Sequence, residues 1–372
     1  MVRLFFLMSI LIAYTAYKVA ELIPSLTYLT IPVAFVFFIL MLAPTFVTRL
    51  TPKLSEQTWF AIPTWVGSLL IGFFGTYIMI SLPIDTVHFF YSIIYPEKIF
   101  LSPEAYQYIL LIAFIMSFFG FIEVLRGPKV VDVDISIKNL PHSLESLKIA
   151  QISDLHIGPT IQSRYVKKVV AKTNSTNPDL IFITGDLVDG NIEATKKHLL
   201  PLKDLKARYG IYYVTGNHEY YWGIEKLIPE IKKVGFDVLM NENRIIEVGN
   251  AKILLVGIPD PMAGVVSKEN RPDLIKAKLN ETPTDLKILL AHRPDPYKEA
   301  NKEGFQLQFS GHTHAGQFFP FSLFISFAHK YYRGLSHYEN LKLYVNPGTG
   351  YWGPANRFGI ASEITLAHLK AE

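Results

Sequence analysis

Five short stretches of the chain carry side chains that could do metal chemistry. They are Ser153-Asp154-Leu155-His156, Gly185-Asp186-Leu187-Val188-Asp189, Gly216-Asn217-His218-Glu219, the single His292, and Gly311-His312-Thr313-His314. Carboxylate and imidazole together suit divalent transition metals. About seven such ligands fit two cations sharing one bridging carboxylate, the arrangement that two-metal hydrolases use on phosphoesters. Each stretch alone is weak, since an Asp-x-His arises by chance and a lone buried histidine is more often a hydrogen-bonded core residue. Five in this order, each directly behind an apolar run, are hard to obtain by accident. His88, His142, His198, His329, His337 and His368 lack that context and read as surface or packing residues.

Bringing these groups together takes regular elements, and the sequence marks them. Residues 131–137 alternate with a period of two, as a strand does. Short buried-strand runs occur at 147–152, 180–184, 211–215, 253–258, 286–291, 306–310, 341–346 and 363–369. Helical stretches at 163–176, 193–208, 224–234 and 272–280 separate several of them. Residues 244–248 and 252–256, joined by Gly249-Asn250, read as a hairpin. The expected fold class is therefore α/β, with strand density toward the C-terminus suggesting two packed sheets. Open α/β sheets place their sites outside the carboxyl ends of strands, so all five stretches could meet in one cleft.

Asp-x-His, Gly-Asp-x-x-Asp, Gly-Asn-His-Glu, a lone His and Gly-His-x-His resemble the calcineurin-like metallophosphoesterase superfamily. The resemblance covers residues 147–369. It implies a two-sheet β-sandwich flanked by helices and two divalent metal ions drawn from manganese, iron and zinc. It further implies that Asp154, His156 and His314 bind one metal, that Asn217, His292 and His312 bind the other, and that Asp186 bridges. His218 would protonate the leaving oxygen, held by Asp189. The chemistry agrees: a hydroxide between two cations attacks phosphorus at neutral pH, and a histidine poised near neutrality supplies the proton.

One departure bears on the substrate. Protein Ser/Thr phosphatases of the superfamily have Arg-Gly after the second Asp, whereas Asp189 is followed by Gly190-Asn191. The missing arginine argues against a phosphoprotein substrate. His292-Arg293-Pro294-Asp295, the run from Gly311 to Gln317, and the run from Asn346 through Gly353 to Arg357-Phe358-Gly359 resemble instead a bacterial membrane-associated phosphodiesterase branch. That branch includes UDP-diacylglucosamine hydrolases.

The first third of the 372 residues differs in kind. Up to residue 128, basic side chains occur only at Arg3, Lys18, Arg49, Lys53, Lys98 and Arg126, and acidic ones only at Glu21, Glu56, Asp85, Glu97, Glu104 and Glu123. Apolar runs at about 4–20, 26–47, 59–83 and 106–125 approach or exceed the roughly 20 residues that cross a bilayer. Four transmembrane helices are expected in residues 1–128, ahead of a phosphoesterase domain in residues 129–372. The segment 84–95, interrupted by Asp85 and His88, reads as a re-entrant or interfacial piece. Arg3, Arg49, Lys53, Arg126 and Lys129 lie on one side against Lys18 and Lys98 on the other. This bias predicts a multi-pass inner (cytoplasmic) membrane protein with its catalytic domain on the cytoplasmic side.

Composition excludes other classes. Half the residues are apolar, which excludes a disordered chain. A net charge of +4 without a basic run argues against nucleic acid. The absence of cysteine excludes disulfides, thiolate metal sites and cysteine nucleophiles. No oligomeric state is fixed by the sequence.

Residues 318–328, close behind the last histidine motif, are aromatic and free of charge. They are either a core element or a loop dipping into membrane lipids to accept an acyl chain, with Tyr331, Tyr332 and Arg333 at headgroup level. Three readings of function are open. One is a membrane-anchored phosphoesterase cutting a phosphodiester or pyrophosphate bond of a lipid-linked substrate. The second is the same chemistry on soluble nucleotides, with the spans as an anchor. The third is a non-enzymatic sensor or scaffold, which would have no use for an intact ligand set.

Overall fold

A computed structural model describes residues 13–14, 17–18, 57–96, 98, 100–278 and 282–372. They fall into two units. One holds Arg126–Gln317, Phe324–Trp352 and Ile360–Glu372; the other holds the preceding residues together with Phe318–Leu323 and Gly353–Gly359.

The larger unit is built on two six-stranded sheets. The first runs in the order β1 (Lys129–Ile137), β12 (Glu363–Ala371), β2 (Lys148–Ile152), β3 (Leu180–Thr184), β4 (Ile211–Val214) and β5 (Asp237–Val238). The second runs β10 (Gly334–Tyr338), β11 (Leu341–Val345), β9 (Leu307–Ser310), β8 (Leu286–Ala291), β7 (Ala251–Ile258) and β6 (Glu242–Val248). In each sheet four consecutive strands are parallel: β2 to β5, and β7, β8, β9 and β11. Their carboxyl ends therefore point the same way within each sheet. Residues of both sheets make one apolar core, with Ile149, Leu180, Phe182 and Val214 from the first and Leu255, Ile288, Leu290 and Phe309 from the second. Phe182 and Phe309 meet edge to face at 5.3 Å. Near the strand ends, Gln151 Nε2 donates at 2.8 Å both to Thr184 Oγ1 and to the Ser310 carbonyl, joining β2, β3 and β9.

The strand runs read from the sequence fall on observed strands, because short, mostly apolar runs are what two-sided burial in a parallel sheet requires. Two of the four expected helices match within a residue, and two are shorter. The stretch 193–208 is an α-helix only over Ile192–Leu199, and with Pro201 near its start the segment Leu200–Asp204 is a tighter 3₁₀ helix. Among the described residues of 272–280, the α-helix spans Leu274–Ala277. The short strands β5 and β10 had no sequence signature.

In the smaller unit, α1 (Ala61–Ile94) and α2 (Pro103–Arg126) are the two helices, among the described residues, long and apolar enough to cross a membrane. Of the four expected spans, the one at 26–47 lies outside the described residues, as does most of that at 4–20. The expectation of a separate re-entrant piece at 84–95 is corrected: residues 84–94 continue α1 through Pro83. Asp85 does not interrupt the helix because its charge is partnered. It accepts from the hydroxyls of Tyr14 and Tyr106, and Lys18 Nζ lies 3.1 Å away. Tyr77, Tyr106, Ile109 and Ala113 form the apolar contact of the pair. Small residues open a groove that Gly353–Gly359 occupies. Ser68 Oγ donates to the Gly353 carbonyl at 2.7 Å, and Asn356 Nδ2 donates to Thr76 Oγ1 at 3.3 Å. Asn356 lies so close to Gly120 that a Cβ there would overlap it.

Candidate metal centre

The carboxyl ends of β2, β3, β8 and β9, and the residues just after β4, bring the sequence motifs together. The backbone is bent sharply to do so. Asp154, His156, Asp186, His312 and His314 all have positive φ, between 49° and 72°. Such conformations are uncommon outside glycine and accumulate at functional sites, where surrounding structure must hold them. Two glycines permit the packing. A Cβ on Gly216 would overlap Asp186, and one on Gly311 would overlap Ser153 and Asp154.

The side chains converge in three groups, each with ligand atoms within 4.8 Å of one another: Asp154, His156 and His314; Asp186, His292 and His312; and His156, Asp189 and His218. His156 Nε2 faces His314 Nε2 at 3.1 Å, and Asp154 Oδ1 is 3.4 Å from the latter. His292 Nε2 lies 3.2 Å from His312 Nδ1 and 3.2 Å from Asn217 Oδ1. Asp186 Oδ2 stands between the two clusters, 3.3 Å from His292 Nε2 and 3.8 Å from His156 Nε2. Facing imidazole nitrogens with carboxylate oxygens in their midst form a donor set that fits divalent cations. All nine site residues expected from the sequence are in this one cluster.

A model of the calcineurin-like phosphoesterase family matches residues 147–316. A metallophosphoesterase of Helicobacter pylori is 39% identical over 252 residues, which are 67% of this chain and 66% of that protein. A transmembrane protein with a metallophosphoesterase domain from Danio rerio is 35% identical over 70% of this chain and 62% of its own length. A metallophosphoesterase of Aquifex aeolicus is 30% identical over 240 residues, and the match spans 64% of this chain and 90% of that protein. This chain belongs to the calcineurin-like metallophosphoesterases. It spans just under two thirds of the length of the Helicobacter and Danio relatives.

Electrostatics treat the imidazoles of the metallophosphoesterase site unequally: burial opposes the charge of His292, but Asp186 outweighs burial and raises it to about 10. Burial, then the neighbouring His218, pushes His156 down to about 3, and burial, then His292 and Arg293, pushes His312 down to about 2. Both rings are thus held neutral, the form that binds metal. His218 behaves oppositely. Burial opposes its charge, but the Asp189 and Asp186 carboxylates outweigh burial and raise it to about 9. Its Nδ1 is 2.8 Å from Asp189 Oδ1. Burial in turn opposes the charge of Asp189, yet His218 holds that carboxylate down at about 2. Burial works against Asp186 as well, and His292 and His218 keep it well below the ordinary carboxylate range.

Four further residues shape the metallophosphoesterase site and carried no role by sequence alone. Glu219 is fully buried, and its carboxylate accepts from the backbone N–H of Gly216, Asp186, Leu187 and Val188. It ties the loop after β3 to the loop after β4. Trp222 Nε1 donates to Asp189 Oδ1 at 2.8 Å. His329, read from the sequence as surface or packing, sets its ring edge-on to His312 at 5.7 Å. Trp352 does the same to His218 at 5.6 Å. Glu219 and Trp352 were visible as parts of quoted motifs; Trp222 and His329 lack any local signal.

Proposed function

We propose that this metallophosphoesterase is membrane-anchored and hydrolyses a phosphodiester or pyrophosphate bond of a lipid-linked substrate with two divalent cations, manganese, iron or zinc. Residues 1–128 serve as the anchor, and residues 129–372 form the catalytic domain on the cytoplasmic side. Asp154, His156 and His314 hold one cation; Asn217, His292 and His312 hold the other; Asp186 touches both. When bound, the cations supply a hydroxide nucleophile at neutral pH and offset the charge that builds on the phosphoryl oxygens. His218 gives its proton to the leaving oxygen, and Asp189 fixes the ring so that Nε2 carries that proton.

The observation that carries the lipid assignment is the exposure of five apolar side chains between residues 319 and 327. Phe319, Phe321, Leu323, Phe324 and Phe327 are 40–87% exposed. A core element would bury them, so the core reading of this segment loses its support. Exposed apolar side chains clustered this closely in sequence are what a lipid or partner contact uses. A second reading, soluble nucleotide as substrate, draws on the exposed rings of Tyr221 and Trp352 beside His218, to which a nucleobase could stack. The test is one assay on the full-length, Mn²⁺-loaded protein. Micelle-presented phospholipid pyrophosphates and free nucleotides are compared by kcat/KM, with an aryl phosphodiester as reference. Preference for micellar lipid supports the first reading; preference for free nucleotide sinks it. Inactivity on all three refutes the enzyme.

A further inference from the structure

Arg293 is a charged group beside the candidate metal centre that the ligand set leaves unused. It follows His292 directly, at the carboxyl end of β8. Its guanidinium is gripped from one side. Nε donates to Asp260 Oδ2 at 2.6 Å and Nη2 to Asp260 Oδ1 at 3.3 Å. The Asp260 side chain is fully buried, whereas that of Arg293 keeps 28% of its surface exposed. Asp260 is itself fixed, accepting from the Met262 N–H at 2.8 Å. The backbone under the arginine is fixed as well: its carbonyl accepts from Ser310 Oγ at 3.2 Å, and the Pro294 carbonyl accepts from Gln308 Nε2 at 3.2 Å.

This is an expensive way to make a surface ion pair. Burying a carboxylate costs several kcal/mol unless the partner geometry is good, and an exposed pair of no further use gives back little. The arrangement makes sense if the guanidinium must be aimed. A guanidinium has five N–H donors in a rigid fork. The Nε side is committed to Asp260, which leaves the Nη1 edge to face an outside acceptor. Arg293 is close enough to the candidate ligand His312 for its charge to bear on that ring, and close enough to Tyr221 to interact with it. Tyr221 also packs against His218, at 5.2 Å. The arginine is therefore near enough to influence a candidate cation ligand directly and neighbours the candidate proton donor through Tyr221.

We propose that Arg293 grips a non-bridging phosphoryl oxygen of the substrate beside the Asn217, His292 and His312 half of the centre, and that Asp260 is the positioning residue that aims it. The proposal rests on the phosphoesterase reading of the site. It replaces, from a different loop, the arginine missing after Asp189. No bond is made or broken by Arg293. It binds the anion, and bidentate or charge-assisted contact to phosphoryl oxygen is what a guanidinium does best.

The test uses the full-length protein, loaded with Mn²⁺ in detergent, and three variants: Arg293→Ala, Arg293→Lys and Asp260→Asn. Turnover of an aryl phosphodiester is measured beside calorimetric binding of inorganic phosphate and metal content by elemental analysis. Arg293→Ala should keep both metal equivalents while weakening phosphate and raising KM roughly 10- to 100-fold, the worth of one charged hydrogen bond. Arg293→Lys should recover part of that loss, and millimolar guanidinium chloride should partly rescue Arg293→Ala but not wild type. Asp260→Asn should raise KM more than it lowers kcat. Unchanged phosphate affinity and KM in Arg293→Ala would overturn the proposal, as would loss of metal with no rescue. If Asp260→Asn shifts only the melting temperature, its positioning role fails. A wild-type protein that binds phosphate but hydrolyses nothing would refute the enzyme reading, and phosphate binding by the variants would still decide the role of Arg293.

Discussion

Asp186 offers a single oxygen, Oδ2, to both candidate clusters, while its Oδ1 accepts from the His218 N–H at 2.8 Å. Among the described carboxylates, Asp186 alone has an oxygen within 4 Å of imidazole nitrogens of both clusters, so Asp186→Ala should lose more than one metal equivalent and nearly all turnover. Elemental analysis of purified full-length protein checks this, and two retained equivalents would end the bridging role. The proton donor is tested by its neighbour. The Asp189 carboxylate is the leading charge that raises His218, so the acid form of the ring persists to higher pH than an ordinary histidine allows. Activity that needs this acid form is lost as pH rises through the His218 pKa. Asp189→Asn removes the charge, and the alkaline limb of the kcat profile should move to lower pH by roughly 1–2 units. Bound cations lower the limb in both proteins and leave the direction of the difference intact. An unmoved limb would mean that another group supplies the proton. The candidate site residues other than the lone His292 were readable because each sits beside its motif partners in sequence. Arg293 and Asp260 were not, since 33 residues separate them and only the adjacency of β7 and β8 joins them.

Loops at the ends of parallel strands carry the site, and their conformation is held by a buried carboxylate as much as by glycine. Glu219 takes four backbone N–H groups from two loops. Glu219→Gln keeps the shape but turns an amide N–H₂ toward backbone donors. That should cost about 2–4 kcal/mol by unsatisfied and lost charged hydrogen bonds, a fall of roughly 5–15 °C for a domain of this size. A melt followed by circular dichroism measures it, and metal content should fall with it because Asp186 sits on one of the tied loops. A variant that melts with wild type would mean the loops hold themselves. The strands beneath were legible because two-sided burial writes a mostly apolar run, even where a buried Gln151 or Gln308 interrupts it. The two-residue β5 is too short to leave a pattern, and in β10 polar Ser336 and His337 follow one another and break the alternation. The course of α1 was misread for a related reason. Pro83 and Asp85 are breakers by local rules, and the partners that satisfy Asp85 come from Tyr14, Lys18 and Tyr106, far along the chain.

At the scale of the whole chain, the helical unit is more than two helices. It takes in Phe318–Leu323 and Gly353–Gly359, segments that interrupt the sequence of the larger unit near its last motifs. In this unit Phe319 N–H donates to the Phe358 carbonyl at 2.8 Å, and Arg357 N–H to that of Gly120 at 3.1 Å. Experiments on the segment 318–328 therefore belong on the full chain, since a truncated one would strip those partners. Phe318 is buried and is left intact. Replacing Phe319, Phe321, Phe324 and Phe327 with Ser removes exposed rings, each worth about 1–2 kcal/mol of membrane burial. Activity on a lipid substrate in vesicles should fall at least tenfold, chiefly through the apparent KM. Turnover of a small soluble phosphodiester should stay within about threefold, because the proposed cation ligands, Arg293 and His218 are left intact. The melting temperature should hardly move, since rings already in contact with solvent contribute little to folding. If instead the melt drops by many degrees and both substrates suffer alike, the segment is packing surface. Lipid preference would then rest on the spans alone.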